Sequence, residues 1–318
     1  MAVKNNKLSL GEVLQKYGAV IFFFLLFGFN CFYTNNFFSI QTVWNLFIQS
    51  MPVILIAMGL TLVIATGNID ISVGSGMALG SVIFSFIVKS GGNPVAALAG
   101  AAVVGMAAGA FCGVMVARFG VESMITTMAM MYILRGIAKV ASGGTPISYN
   151  NSSVSALSYY RVGGVVPIHV VCVAVLLAVI LFVIEKTSFG VYLEATGDNR
   201  TAARISGINV VAVILITYVV SGMLATLAGI EQCIMVSSAD GSSLGLSYEF
   251  DAIASTVVGG TPMRGGKPNI IGTLCGALLL QLIVIMVNMN NIYYAISLVI
   301  KALLIFGAVY LQRVATKN

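Results

Sequence analysis

The chain has 318 residues, of which 59% are hydrophobic and 8% are charged, and its formal net charge is +6. Soluble domains carry about 25% charged residues, so this composition excludes a water-soluble fold and predicts an all-α membrane protein. One histidine and five scattered cysteines indicate neither a metal site nor a disulfide framework. We attribute the basic charge to cytoplasmic loops of a membrane protein rather than to nucleic-acid binding.

Apolar runs of about 20 residues are long enough to cross a bilayer as helices. The first run follows Lys4, Lys7 and Lys16 and has features of a signal peptide, but its length favours an uncleaved span. The eighth run, 251–262, is too short for a simple crossing, so we expect it to be buried or to line a cavity. The ten predicted segments are 17–34, 48–66, 70–88, 95–117, 123–142, 165–184, 209–236, 251–262, 269–288 and 292–312.

The distribution of lysine and arginine predicts the orientation. With the N-terminus inside, eleven of these residues fall in cytoplasmic segments and only Lys89 and Arg161 fall outside. Because cytoplasmic loops carry the excess of positive charge, we expect both termini on the cytoplasmic side. The other three, Arg135, Lys139 and Lys301, lie inside predicted spans.

Gly105, Gly109 and Gly113 recur every four positions in the fourth predicted span, so they share one helix face. Small residues let helix backbones approach closely inside a membrane. We expect this face to pack within the chain rather than to form a dimer interface.

The longest charged loop covers residues 185–209. Asp198 or Asn199 is suited to capping a short helix there, Ala202 favours that helix, and Gly207 suits its left-handed stop. The helix is either a solvated connector or a docking element for a cytoplasmic partner.

Four stretches of the chain resemble ribose-type permeases of bacterial ATP-binding-cassette sugar importers. They are GNIDISVGSGMALGS at 67–81, MMYILRGIAKV at 130–140, TSFGVYLEATGDNRTAARISGI at 187–208 and YEFDAIASTVVGGTPMRGGKPNIIGT at 248–273. The resemblance implies one permease domain, 1–318, with about ten helices in two pseudo-repeats, as in vitamin B12 importers. It also implies that 185–209 couples to an ATPase, that the protein lies in the bacterial inner membrane, and that its substrates are monosaccharides or related small polyols.

The same resemblance implies three protein partners: an ATPase subunit, a periplasmic sugar-binding protein and a second permease chain, identical or homologous. The glycine-rich stretch at 259–268 is not a phosphate-binding loop, because Thr261 stands where its first glycine is required and Pro268 replaces its hydroxyl residue. We therefore expect no cofactor on this chain, and we expect ATP and Mg²⁺ on the partner ATPase. The chain departs from the family pattern at Pro262, Met263 and 288–291, which leaves open the sugar and the identity of the second permease.

Two sets of residues are candidates for function. Asp70, Ser72 and Ser75 follow a break at Gly67–Asn68, and two interpretations stay open: these three residues contact sugar, or Asn68 and Asp70 cap a helix. Arg135 either anchors helices or contacts sugar. The outer segment 237–251 is either a docking site for the periplasmic protein or a solvated loop. The candidate substrate-path residues are Asn68, Asp70, Ser72, Ser75, Arg135 and Asn288. The candidate ATPase-coupling residues are Gly190, Glu194, Asn199, Ala202, Ala203, Arg204 and Gly207.

An ion-coupled secondary transporter is the alternative function. Such transporters use acidic residues inside the membrane as ion sites, whereas Asp70, Glu231 and Asp251 all lie near the ends of predicted spans. A membrane-embedded enzyme is disfavoured, because the chain has a single histidine, no paired carboxylates and no HExxH motif.

Overall fold

The computed structural model describes the backbone of residues 10–315 and the side chains of residues 18–310. Lys4, Lys7 and Lys317, which we assigned to the cytoplasmic side, lie outside the described residues. Within the described backbone the chain is mostly helical, and six of its helices are long and apolar enough to cross a membrane. The helices are α1 (Leu10–Tyr33), α2 (Ile40–Ala65), α3 (Val73–Lys89), α4 (Pro94–Ala117), α5 (Ser123–Ala141), α6 (Ser152–Tyr159), α7 (Ile168–Lys186), α8 (Ser188–Asp198), α9 (Arg200–Ile205), α10 (Val210–Val236), α11 (Tyr248–Val258), α12 (Ile270–Met289) and α13 (Ala295–Ala315). The six long apolar helices are α2, α4, α5, α7, α10 and α12.

Helix α2 forms the centre of the molecule. Its start is capped by Ser39, whose hydroxyl accepts a hydrogen bond from the amide of Thr42. Every residue from Met51 to Ala65 is buried, and the helix packs against α10, α11 and α12. The predicted second span began at residue 48, whereas the helix begins at Ile40, because the capping serine lies upstream of the continuous apolar run.

Helices α4 and α10 form the closest pair in the fold. A Cβ atom added at Gly105 or Gly109 would overlap the backbone carbonyl of Gly222 or Tyr218, and one at Gly113 would lie 3.0 Å from the Leu215 Cα atom. The glycine face of the fourth span therefore packs within the chain, as the sequence predicted.

The eighth predicted segment is an 11-residue helix, α11, that begins three residues earlier than expected, at Tyr248. Seven of its residues are buried, and it packs against α2, α12 and α13. The chain then runs without helix through 259–269 before α12 begins. The segment is too short to cross a bilayer alone, and it is enclosed by protein, as its length predicted.

Four two-residue strands form two small antiparallel pairs on the predicted periplasmic side. Strands β1 (Ile147–Ser148) and β4 (Ser238–Ala239) pair with each other, and β2 (Arg161–Val162) pairs with β3 (Val166–Pro167). Strands β1, β2 and β4 and the short helix α6 lie between predicted spans, whereas β3 occupies the start of the sixth predicted span, 165–184, whose helix α7 begins only at Ile168.

Candidate coupling and translocation sites

The 185–209 loop contains two helices rather than the single short helix that was predicted. The Thr187 hydroxyl caps α8 by accepting from the Phe189 amide, and the Asn199 side chain caps α9 by accepting from the amides of Thr201 and Ala202. Asp198 ends α8 instead of capping α9. Gly207 has a φ of 86°, which is the left-handed stop that the sequence predicted.

The candidate coupling residues divide into exposed and buried groups. Exposed members are Asn199, Ala202, Arg204 and Gly207, whereas Glu194 is half-buried and Gly190 is buried. Ala203 is only 4% exposed and packs in the core. In this conformation Ala203 therefore packs α9 against the rest of the chain and is not exposed to a partner. The neighbouring Ile205, which the sequence did not single out, is 83% exposed.

Arg200, which was not among the candidate residues, joins the coupling helices to the membrane helices. Its Nη2 atom donates to the Thr66 carbonyl at 3.0 Å and to Asn68 Oδ1 at 2.9 Å, in the turn between α2 and α3. The amide of Gly266, in the turn before α12, donates to the Ala65 carbonyl at 2.9 Å. We call this meeting point of the turns 65–68, 197–200 and 264–266 the cytoplasmic junction.

The candidate residues after Gly67 are buried, and most of them bond within the chain. Asp70 accepts hydrogen bonds from the amide and hydroxyl of Ser72 at 3.0 and 2.6 Å, and from the Ser221 hydroxyl of α10 at 2.9 Å. Ser75 is also buried, and among the described residues its hydroxyl has no hydrogen-bond partner. Asp70 and Ser72 thus join the start of α3 to α10. Ser72 also lines a small crevice of about 10 Å³ between α3, α4 and α10, which has room for little more than a water molecule.

Arg135 points into the helix bundle and bonds to two backbone carbonyls. Its guanidinium donates to the Leu244 carbonyl at 2.6 Å and to the Gly74 carbonyl at 3.2 Å. Both partners are backbone carbonyls, one in the 237–247 segment and one at the start of α3. The 237–247 segment folds back onto α5, where Gly241 approaches the Ala138 carbonyl, and this brings Leu244 within reach of the guanidinium.

The segment that Arg135 holds is ordered by Asp240. The Ser243 hydroxyl and the Ser242 amide donate to the Asp240 carboxylate, and these bonds lower the pKa of Asp240 below its usual value. The carboxylate therefore stays ionised near the cationic Arg135, and the attraction between them favours the folded-back segment.

One further ion pair and one contact between two buried titratable side chains lie between helices. Lys301 of α13 donates to both carboxylate oxygens of Asp251 in α11, at 3.0 and 2.9 Å. His169 Nδ1 of α7 lies 3.7 Å from Glu231 Oε1 of α10, and both side chains are buried. No group of three or more histidine, cysteine or acidic side chains suited to a metal ion occurs in the part of the chain that the structure describes.

Asn288 lies in an open groove of about 230 Å³ between α2 and α12. Beside the groove, Gln281 Nε2 of α12 donates to Gln49 Oε1 of α2 at 3.0 Å. The polar residues of α2 were not predicted as candidates, although their i, i+3, i+7 spacing is readable from the sequence. The groove is lined by Thr42, Asn45, Gln49, Ile285, Asn288 and Met289.

Comparison with known proteins identifies the family. Residues 42–309 match the family model described as "Branched-chain amino acid transport system / permease component". The ribose import permease protein of Escherichia coli is 37% identical over 277 residues, which are 86% of each chain. The ribose import permease protein of Haemophilus influenzae is 33% identical over 314 residues, 97% of this chain and 96% of the relative.

A third relative, the fructose import permease protein of Bifidobacterium longum, is 33% identical over 243 residues, 74% of this chain and 67% of the relative. No solved structure matches the chain. All three relatives are transport components rather than enzymes. The chain therefore belongs to the family of transport-system permease components, and the predicted resemblance to ribose-type sugar permeases is confirmed.

Proposed function

We propose that this chain is the membrane-spanning permease subunit of an ATP-binding-cassette importer that moves a monosaccharide or related small polyol from periplasm to cytoplasm. The observation that carries the proposal is the match to sugar import permeases over most of the chain. The residues matched by the family model, 42–309, include both the coupling helices and the α2–α12 groove.

The proposed architecture is a single domain of ten membrane segments in two pseudo-repeats, of the vitamin-B12-importer type. Six long apolar helices, three shorter apolar helices and the buried α11 together correspond to the ten segments, and this correspondence supports the proposed architecture. The excess of lysine and arginine in the connections on the α8–α9 side supports an inner-membrane orientation with both termini cytoplasmic.

The proposed ATPase partner, which binds ATP and Mg²⁺, contacts the exposed surface of α8 and α9. This surface carries Val191, Tyr192 and Ile205, which are 66%, 44% and 83% exposed. Apolar side chains grouped in a polar loop are typical of a protein-interaction surface. The periplasmic sugar-binding protein contacts the opposite side, where α6, β1 and β4 lie.

A second permease chain, identical or homologous, covers the groove between α2 and α12. Gln49 and Asn288 are exposed there, in helices that are otherwise strongly apolar. Of the two, Gln49 lies well inside its helix, where an exposed amide requires water or protein beside it rather than lipid. Two permeases facing each other across this groove enclose a polar path.

The test is uptake by the assembled complex. The chain is reconstituted into liposomes with its ATPase and binding-protein partners, and labelled D-ribose, D-fructose and D-galactose are offered. We expect uptake of at least one sugar that requires ATP and persists when ionophores collapse the proton and sodium gradients. Uptake that ignores ATP and is abolished by the ionophores would instead establish the ion-coupled secondary transporter.

A further inference from the structure

A stripe of uncharged polar side chains follows the line where α2 meets α12. Thr42, Asn45 and Gln49 share one face of α2, and Gln281 and Asn288 lie seven residues apart on α12. Gln49 and Asn288 are exposed, and Asn45 is half-buried. Elsewhere α12 meets α2 through buried side chains that are mostly apolar, apart from the hydroxyl pair of Thr61 and Thr273 at 2.9 Å. The exposed part of the polar stripe is therefore confined to the open side of this helix pair.

The Gln49–Gln281 pair lies well inside its two helices rather than at their ends. Gln49 is nine residues after the start of α2 and Gln281 is eight residues before the end of α12. At 1.5 Å per residue these offsets are roughly 12–14 Å, close to half of a hydrocarbon core about 30 Å thick. An unsatisfied amide facing lipid at that depth costs several kcal/mol, so these groups face a water-filled path.

The pair leaves one donor group and one acceptor unused. Gln281 donates one N–H to Gln49, and this is the one hydrogen bond of either amide within the described residues. Both N–H groups of Gln49, the second N–H of Gln281 and the carbonyl oxygen of Gln281 therefore stay available to the groove. Exchanging the donor and acceptor roles leaves this inventory unchanged, because the two side chains are chemically identical.

Adjacent donor and acceptor groups match the hydroxyl groups of a sugar, since each hydroxyl both donates and accepts. None of the six residues that line the groove carries a charge. A zwitterion such as an amino acid would lose hydration in this groove without gaining an ionic partner, which is costly for both of its charges.

We propose that Gln49 and Gln281 are specificity-determining residues of the path, which selects neutral polyhydroxylated solutes over zwitterionic ones. The inference rests on the proposed function, because it assigns these amides to the path of an importer. It separates this chain from amino-acid transport, which the family's description also covers.

The test compares Gln49→Met and Gln281→Met in the full complex with Gln41→Met, which removes an amide of α2 that is not part of the Gln49–Gln281 pair and donates to Asn45 Oδ1 at a long 3.4 Å. Uptake of the transported sugar is measured at saturating, sugar-loaded binding protein, together with basal ATP hydrolysis and the thermal unfolding midpoint. We expect each groove variant to lower uptake about tenfold, the equivalent of one lost hydrogen bond. Basal hydrolysis and unfolding should match the native complex, and Gln41→Met should transport normally.

A second readout separates a path-lining role from a structural bridge between α2 and α12. The native complex should move the sugar faster than its single-deoxy analogues, and the groove variants should lose part of that discrimination. Uptake within twofold of native in both variants, or variants that lose only thermal stability, would overturn the inference while leaving the importer intact. ATP-dependent uptake of L-leucine as fast as that of the sugar would also overturn it. Failure of the native complex to move any sugar with ATP would count against the proposed function itself.

Discussion

Arg135 illustrates how a charge is accommodated within a membrane helix. A charged side chain at the bilayer centre is costly, and the cost falls when the group faces the protein interior and bonds to backbone carbonyls. Arg135 does so by contacting Leu244 and Gly74, which ties α5 to both α3 and the 237–247 segment. Lys301 follows the same principle with a different partner, the Asp251 carboxylate.

Replacing Arg135 with leucine should leave membrane insertion intact and loosen the 237–247 segment. The loss leaves two partly buried carbonyls without their donor, which corresponds to about 1–3 kcal/mol each. Sugar-stimulated ATP hydrolysis and the unfolding midpoint of the purified complex should both fall. Lys139→Leu, four residues later on the same helix and exposed, is the matched control. Arg135→Leu with native stability and native transport would show that the residue neither anchors nor serves the path.

At the scale of elements, backbone proximity decides the architecture. Helices α4 and α10 meet through glycines on both sides, since Gly105 contacts Gly222 and Gly109 contacts the Tyr218 backbone. In lipid the hydrophobic effect does not drive helices together, so such close packing supplies much of the association. The cytoplasmic junction depends on the same feature, because Gly197 approaches the Ala65 carbonyl and the Gly266 amide too closely for a Cβ atom.

The packing of α4 can be tested with a matched pair of glycines. Gly109→Ala should destabilise the chain by about 1–3 kcal/mol, because the added methyl group overlaps the Tyr218 carbonyl. Gly100→Ala, on the same helix with nothing within 4 Å of its added Cβ, should be neutral or stabilising by up to about 1 kcal/mol. Thermal unfolding in detergent measures both. Equal midpoints for the two variants would contradict the close contact.

The junction predicts a role for Arg200 in coupling. Arg200→Ala removes both hydrogen bonds to the α2–α3 turn but leaves Ile205 and the other exposed residues of α9 in place, so ATP hydrolysis should continue. The amount of sugar transported per ATP should fall severalfold. Arg118→Ala, an exposed arginine at the end of α4, is the control for loss of a cytoplasmic charge. An unchanged transport-to-hydrolysis ratio in Arg200→Ala would remove Arg200 from the coupling route.

The docking surface predicts opposite behaviour for two neighbours on α9. Ile205→Glu should prevent co-purification of the ATPase subunit without lowering the unfolding midpoint of the permease, because Ile205 is exposed. Ala203→Glu should lower that midpoint, because it places a charge in the core. If Ile205→Glu complexes assemble and transport normally, the ATPase binds elsewhere.

At the scale of the whole molecule, one chain leaves a polar groove open on its membrane-facing side. Stable exposure of the Gln49 side chain to lipid conflicts with the cost of unsatisfied amide groups in hydrocarbon. The conflict is resolved when a second chain faces the groove. In the proposed function, the molecule therefore forms half of a two-fold translocation path.

The active complex should accordingly contain two permease chains and two ATPase domains. Native mass spectrometry of the purified, transport-competent complex measures this composition directly. Two non-identical permeases would agree with the prediction, since the departures at Pro262, Met263 and 288–291 allow a homologous partner. A transport-competent complex with a single permease chain would contradict it.

The sequence by itself determined that lipid surrounds the chain, that the chain is helical, that α4 has a glycine face, and to which family the chain belongs. Hydrophobic runs, residue spacing and motifs suffice for these conclusions, because they are properties of neighbouring residues. Only the tertiary structure decided which groups meet. Arg135 contacts a carbonyl 109 positions away, Arg200 contacts a side chain 132 positions away, and Gln281 contacts one 232 positions away. Such pairings depend on where helices cross and which faces they turn to each other. The tertiary structure likewise placed Ala203 inside and Ile205 outside, because the burial of a helix face depends on the neighbour that covers it rather than on the helix's own sequence.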